Sequence, residues 1–162
     1  MSTDAYLGNP NLKKVGTQLD FTQHQIQEYL KCKEDPVYFS RNYIKIISLD
    51  EGIVPFKMWD FQEELIESFH EHRFNIAKLP RQTGKSTTCV SYLLHYILFN
   101  DNVNVGILAN KLSTARDLLG RLQLAYEQLP LWIQQGIVVY NKGSMELENG
   151  SKILAASTSA SA

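Results

Sequence analysis

Apolar residues recur along this chain with two periods, and the changes of period mark its elements. A helix is predicted from Asp20 or Thr22 to Cys32, with Phe21 placed to staple onto Ile26 or Gln25 and with Tyr29 and Leu30 continuing one face. Asp35 and Pro36 restart it, since an aspartate cap followed by proline in the first turn suits a helix start. Val37, Tyr38, Phe39 and Tyr43 then form its apolar side. Within residues 57–70, introduced by Pro55, one helical face carries Phe61, Leu65, Ile66 and Phe69. Val90, Leu93, Leu94, Ile97 and Leu98 repeat the spacing beyond Gly84. A longer stripe of Ala115, Leu118, Leu119, Leu122, Ala125 and Leu129 follows, with Ser113 as its expected cap and Pro130 as its stop.

Between the helical stretches lie short apolar runs that read as strands. Phe74, Ile76 and Ala77 supply one, residues 103–109 a second that suits a buried parallel strand, and residues 137–140 a third. Residues 144–147 and 152–155 flank Glu148-Asn149-Gly150, a hairpin turn. Strand, loop, helix, strand, helix and strands in that order predict an α/β fold with a sheet of the P-loop type, flanking helices and an N-terminal helical extension. Residues 1–19, polar and with Gly8, Pro10 and Gly16, read as a flexible arm without a core of its own. Residues 20–54 read as the extension and 55–162 as the sheet domain. The tail 156–162 stops without a helix or cap, so the domain reads as incomplete at its C-terminus.

Composition narrows the class only a little. The 162 residues, 44% hydrophobic and 20% charged, suit one globular domain, and a net charge of -1 provides no standing basic field for nucleic acid or an anionic membrane. Cys32 and Cys89 fit neither a disulfide framework nor a metal knuckle and are expected to be reduced, with Cys89 buried. The first four residues show no export pattern. The longest apolar run, 89–99, is broken by His95 and too short to span a bilayer, so a cytoplasmic protein is expected.

The chemistry concentrates at residues 74–87, read as a strand, a phosphate-sized loop and the first turn of a helix. A helix start leaves backbone N–H groups unpaired at the positive end of the dipole, which suits a polyphosphate. Gly84 allows close approach, Lys85 can reach the β- and γ-phosphates, Ser86 can ligand Mg²⁺, and Gln82, Thr83 and Thr87 can add hydrogen bonds. The pattern Gly-x-x-x-x-Gly-Lys-Ser/Thr is half present, because Leu79 stands at its first glycine. Ahead of it, Phe61 and Gln62 have two open readings. They can cover adenine and match its N6 and N7 edge, selecting ATP over GTP, or they are a core aromatic and a surface amide. Asn110 and Lys111, after the 103–109 run, read either as crevice residues or as a solvated loop. His70 and His72, two apart on a helix, point in different directions and are expected to be exposed. The run 45–51 ends in Asp50-Glu51 as an ATPase acidic strand does, but it precedes the loop and enters Gly52, so Asp50-Glu51-Gly52 reads as a turn. No apolar strand ending in Asp-Glu follows Ser86, and efficient turnover is expected to need another segment.

Together, 79–86 (Leu-Pro-Arg-Gln-Thr-Gly-Lys-Ser), Trp59-Asp60-Phe61-Gln62, 105–111, Leu129-Pro130, 136–138, 141–144 and 147–151 resemble the large terminase subunit of tailed double-stranded DNA phages, in its contractile-tailed branch. The resemblance covers residues 20 to 156. It implies an ATP-binding part of a DNA-packaging ATPase, with ATP and Mg²⁺ as cofactors. Lys85 and Ser86 would hold phosphate and Mg²⁺, Phe61 and Gln62 the adenine, and Arg81 would be the arginine supplied in cis. The family's acidic strand, coupling motif and nuclease domain have no counterpart here. The implied partners are double-stranded DNA, the portal protein, the small terminase subunit and further copies in a ring, and the implied place is the host cytoplasm, transiently at the prohead portal, away from membranes. A helicase-like DNA translocase and a non-catalytic docking module are the alternatives.

Overall fold

Thr22 starts the first long helix, α1 (Gln23–Glu34), by a reciprocal cap. Its hydroxyl accepts from the Gln25 backbone N–H at 3.2 Å, while Gln25 Oε1 accepts from the Thr22 N–H at 2.9 Å. This geometry belongs to a computed structural model that describes residues 5–48 and 50–158. Asp35 ends α1 and caps α2 (Pro36–Tyr43), its carboxylate accepting from the Tyr38 N–H at 2.8 Å. The predicted pair of helices is present. The proposed staple partners Phe21 and Ile26 are both largely exposed.

The first residues depart from the expected coreless arm. β1 (Ala5–Tyr6) and β2 (Asn9–Lys13) form an antiparallel hairpin, and Leu12 is buried in the main core. The hairpin is held by the Gln134 side chain, whose amide accepts from Lys13 N–H and donates to the Asn11 carbonyl. Residues 1–4 and the tail beyond Thr158 lie outside the described residues, as does Leu49.

β3 (Lys45–Ser48) and β4 (Gly52–Pro55) form a second antiparallel hairpin. Its turn holds Asp50 and Glu51, whose N–H groups both donate to Ser48 Oγ, and Gly52 closes it at φ 75°. The acidic pair therefore sits in a turn, as expected, but the extension is part sheet. α3 (Asp60–Glu71) follows, then α4 (Lys85–Phe99), β5 (Asn104–Ala109) and α5 (Leu112–Glu127). The cap of α5 is Lys111, and Ser113 is an exposed residue inside its first turn, correcting the expected start.

β6 (Ile137–Tyr140), β7 (Ser144–Leu147) and β8 (Lys152–Ser157) complete a four-stranded mixed sheet in the order β5-β8-β7-β6, in which only β5 and β8 run parallel. The turn between β7 and β8 uses Gly150 at φ 79°, and Asn149 Nδ2 donates to the Ile97 and Asn100 carbonyls, fastening the hairpin to the end of α4. The sheet and five helices make a mixed α/β molecule among the described residues. Residues 74–77 do not join the sheet. Phe74 is 83% exposed and Ile76 fully so, because an apolar run becomes a strand only where a neighbour accepts its ladder, and no strand among the described residues pairs with it.

α5 packs on the sheet against β5 and β8, and α4 packs on α5, so that Leu94, Ile97, Leu98, Leu119, Leu122 and Tyr126 share one core with Ile107, Met145, Leu147 and Ile153. The opposite face leaves Leu108, Leu154 and Val138 exposed. Helices α1 to α3 pack among themselves and α2 and α3 against α4, through Phe39, Phe99 and His95. Among the described residues no helix is long and apolar enough to cross a membrane.

Candidate anion-binding loop

The chain reaches α4 through two backbone reversals. Gln82 at φ 62° and Gly84 at φ 74° both occupy the left-handed region. For glutamine that conformation costs about 1–2 kcal/mol, and such strain concentrates at functional loops. The Pro80 carbonyl gathers the loop, accepting from Thr83 Oγ1 and from Lys85 Nζ, each at 3.0 Å. The Lys85 ammonium therefore lies folded over the loop. Gly84 caps α4 with backbone alone, so no side chain occupies the cap. The first-turn N–H groups and the positive end of a fifteen-residue helix are left for an anion. Thr88, fully buried, donates through Oγ1 to the Gly84 carbonyl and fixes the turn from below.

Gln62 sits beneath this loop with 3% of its surface exposed. Its Oε1 accepts from the Trp59 N–H at 3.0 Å and its Nε2 donates to the Thr83 carbonyl at 3.2 Å. One amide thus caps the start of α3 and ties it to the loop. A methyl group added at Gly84 would fall 2.5 Å from Gln62 Nε2, so that amide would have to move, and the φ favours glycine independently. The expectation that Gln62 offers its amide to a base edge meets a different geometry: both ends are engaged by protein and the group is buried. Gln at the third helical position is a capping-box signal, and that signal could have found this role.

The remaining predicted residues divide between surfaces. Lys85 and Ser86 border one cleft of about 250 Å³ with Cys89, Leu93, Gly106 and Ile107, at the edge of β5 that no described strand pairs. Thr87, the next residue round the helix, borders a separate cavity of about 320 Å³ under β3, with Lys45, Val90 and Arg121. Arg81 and Gln82 are exposed, and Arg81 makes no ion pair among the described residues. Phe61 is half-buried, with its ring 5.7 Å from that of Trp59, which is 60% exposed. Asn110 and Lys111 are exposed beyond the carboxyl end of β5, and His70 and His72 are exposed on and after α3.

Cys32 is the buried thiol, and burial pushes it up to about 12. Cys89 is only half-buried, against expectation, and burial raises it too. Neither is a ready thiolate nucleophile.

The loop suits a polyphosphate by its donors: backbone N–H groups, the Lys85 ammonium and the hydroxyls of Thr83 and Ser86. For Mg²⁺ it supplies one oxygen, Ser86 Oγ. That is a sufficient protein share only when phosphate oxygens, water and a carboxylate supply the rest. Among the described residues no group of three His, Cys, Asp or Glu could hold a metal ion. No protein-family model matches the chain.

Proposed function

We propose that this chain is an ATP-binding part of a phage DNA-packaging motor, the large terminase subunit, built on a P-loop-type site that it holds in part. The observation carrying this reading is Lys85 Nζ folded onto the Pro80 carbonyl above a helix start capped only by left-handed Gly84. That arrangement gives one cation and several N–H donors a common target, and a triphosphate fits it by charge and size.

The parts then take the following work. Lys85 would exchange the Pro80 carbonyl for phosphate oxygens, Ser86 is the residue whose hydroxyl would hold Mg²⁺, and exposed Arg81 would offset charge on the γ-phosphate. When bound, Mg²⁺ would supply neutralisation of phosphate charge. Gln62 holds the loop in register with α3. Water activation needs a carboxylate that the loop lacks. The unpaired edge of β5, beside the cleft bordered by Lys85 and Ser86, supports a further strand bringing it there. On this reading the chain alone binds ATP and turns it over poorly. Double-stranded DNA, portal protein, small terminase subunit and further copies in a ring are the motor's partners, in the host cytoplasm at the prohead portal.

Isothermal calorimetry tests the site directly. Lys85→Ala is expected to abolish ATP binding while the circular dichroism spectrum and melting curve stay as in the wild type. Equal affinities in the two proteins would refute the proposal.

A further inference from the structure

The cavity under β3 brings together groups that the proposed loop chemistry leaves unused. It encloses about 320 Å³ between β3, α4 and α5, a volume at the lower end of small-molecule sites. Ile44 and Ile46 border it from the strand side, Val90 from α4 and Leu124 from α5. Ile46 and Leu124 stay only half-buried, so both walls present apolar surface to a gap that their packing does not close. Two cations from different elements border the same space: Lys45 of β3 and Arg121 of α5. Neither forms an ion pair among the described residues, not even Arg121 with Asp117 one turn before it. No described Asp or Glu borders the cavity. Thr87 adds a hydroxyl that makes no hydrogen bond among the described residues.

We infer that this cavity is a binding site for a small amphiphilic carboxylate, a molecule with an apolar chain or ring and a single anionic end. Two like charges beside one apolar space repel each other, and an anion between them turns that repulsion into two attractions. The apolar part of the ligand removes the exposed walls from water, while its carboxylate accepts from the Arg121 guanidinium and the Lys45 ammonium. Because three elements bound the space, it suits a compact molecule better than an extended peptide, which needs a groove or a sheet edge. The inference stands without the triphosphate reading.

Octanoate is the probe, with 1-octanol supplying the chain without the charge and acetate the charge without the chain. Calorimetry on the whole chain is expected to show octanoate binding about tenfold or more tighter than either control. Arg121→Gln, at an exposed position, should weaken octanoate about tenfold and leave 1-octanol unchanged, and Lys45→Gln should act in the same direction. Methyl NMR places the ligand: the signals of Ile44, Ile46 and Val90 should shift, and those of Leu108 and Leu154 on the exposed sheet face should not. Equal affinity for octanoate and 1-octanol would mean that the two cations only lay their stems over apolar surface, and overturns the site. Shifts at Leu108 and Leu154 as large as those in the cavity mean diffuse adsorption and overturn it too. So does octanoate binding that survives Arg121→Gln and Lys45→Gln but is lost in Lys85→Ala, which puts the anion on the loop, and so does no binding at millimolar octanoate.

Discussion

Gln62 Nε2 donates to the Thr83 carbonyl at 3.2 Å, and this bond is the direct link between the start of α3 and the loop that opens α4. The same side chain accepts from the Trp59 N–H at 3.0 Å, so it holds two backbone groups that are 24 residues apart in sequence (83 minus 59). Gln62→Ala leaves both without a partner in a nearly buried place. A loss of about 1–3 kcal/mol is expected in urea unfolding. The loop is also released, so ATP, GTP and tripolyphosphate should all weaken together. Loss confined to ATP would instead mean that the amide reads the base.

Gly84 answers to two constraints at once. At φ 74° any other residue costs about 1–2 kcal/mol, and a Cβ would press on Gln62 Nε2 at 2.5 Å. The amide end is mobile in principle, but moving it breaks the bond to Thr83. Gly84→Ala is therefore expected to be destabilised by more than the backbone conformation alone, and to bind tripolyphosphate more weakly. A double-mutant cycle with Gln62→Ala checks the mechanism. Because the clash vanishes when the glutamine is gone, the two losses should sum to less than their separate values.

The parts of this fold that were legible in the sequence are those whose causes are local. Asp35 with Pro36 marks a helix start because the group that satisfies the N–H donor lies within four residues, and the start at Asp20 or Thr22 was legible although its cause is the Thr22–Gln25 cap rather than a Phe21 staple. Asn149-Gly150 marks its turn for the same reason. Residues 74–77 misled because apolar content is a property of the segment while pairing is a property of its neighbour, and no described strand lies beside it. Leu12 escaped notice because the arm's few apolar residues, Leu7, Leu12, Val15 and Leu19 among them, are scattered through a polar segment broken by Gly8, Pro10 and Gly16. In the loop, the helix start at Gly84 and Lys85 was readable, whereas Gln62, read either as a base reader or as a surface amide, is buried with its amide bonded to backbone at both ends.

Acid should lower the stability of this protein over two successive pH ranges, through groups far from the loop. His95 is buried among Phe39, Tyr92 and Phe99, with Nε2 donating to the Cys32 carbonyl and Nδ1 without a hydrogen-bond partner. Desolvation, and the nearby His70, bring it from 6.5 down to about 4 despite the Cys32 carbonyl. Between those values the unfolded chain binds a proton that the native one refuses, so stability falls as pH falls from 6.5 to 4, by about 3 kcal/mol in all. Glu28 acts below that. Hydrogen bonds from Lys31, Tyr38 and Tyr43 hold its carboxyl at about 2 against an ordinary 4.5, so its contribution is present above 4.5 and lost as pH falls towards 2. Urea midpoints measured from pH 7 to 4 should decline in the wild type and stay nearly level in His95→Gln. An equal decline in both would remove His95 from the account.

Gln134 gives the last test, because it joins the N-terminal hairpin to the end of α5 with a single buried amide. Its Oε1 accepts from the Lys13 N–H at 3.0 Å, and its Nε2 donates to the carbonyls of Asn11 and Leu129, both at 2.9 Å, and of Tyr126 at 3.3 Å. Glu148 reinforces the same junction, accepting from the Gly16 and Gly136 N–H groups and pairing with Lys13. Burial alone would raise that carboxyl, but these donors and the Lys13 charge bring it below its ordinary value. Gln134→Ala strands several buried backbone groups, and a cost of about 2–4 kcal/mol is expected. Hydrogen exchange separates a local from a global effect. If Gln134 is the clasp, the amides of Leu12 and Lys13 should lose protection earlier than those of α4. If instead residues 5–17 exchange freely in the wild type as well, the hairpin is not docked and Leu12 does not belong to the core.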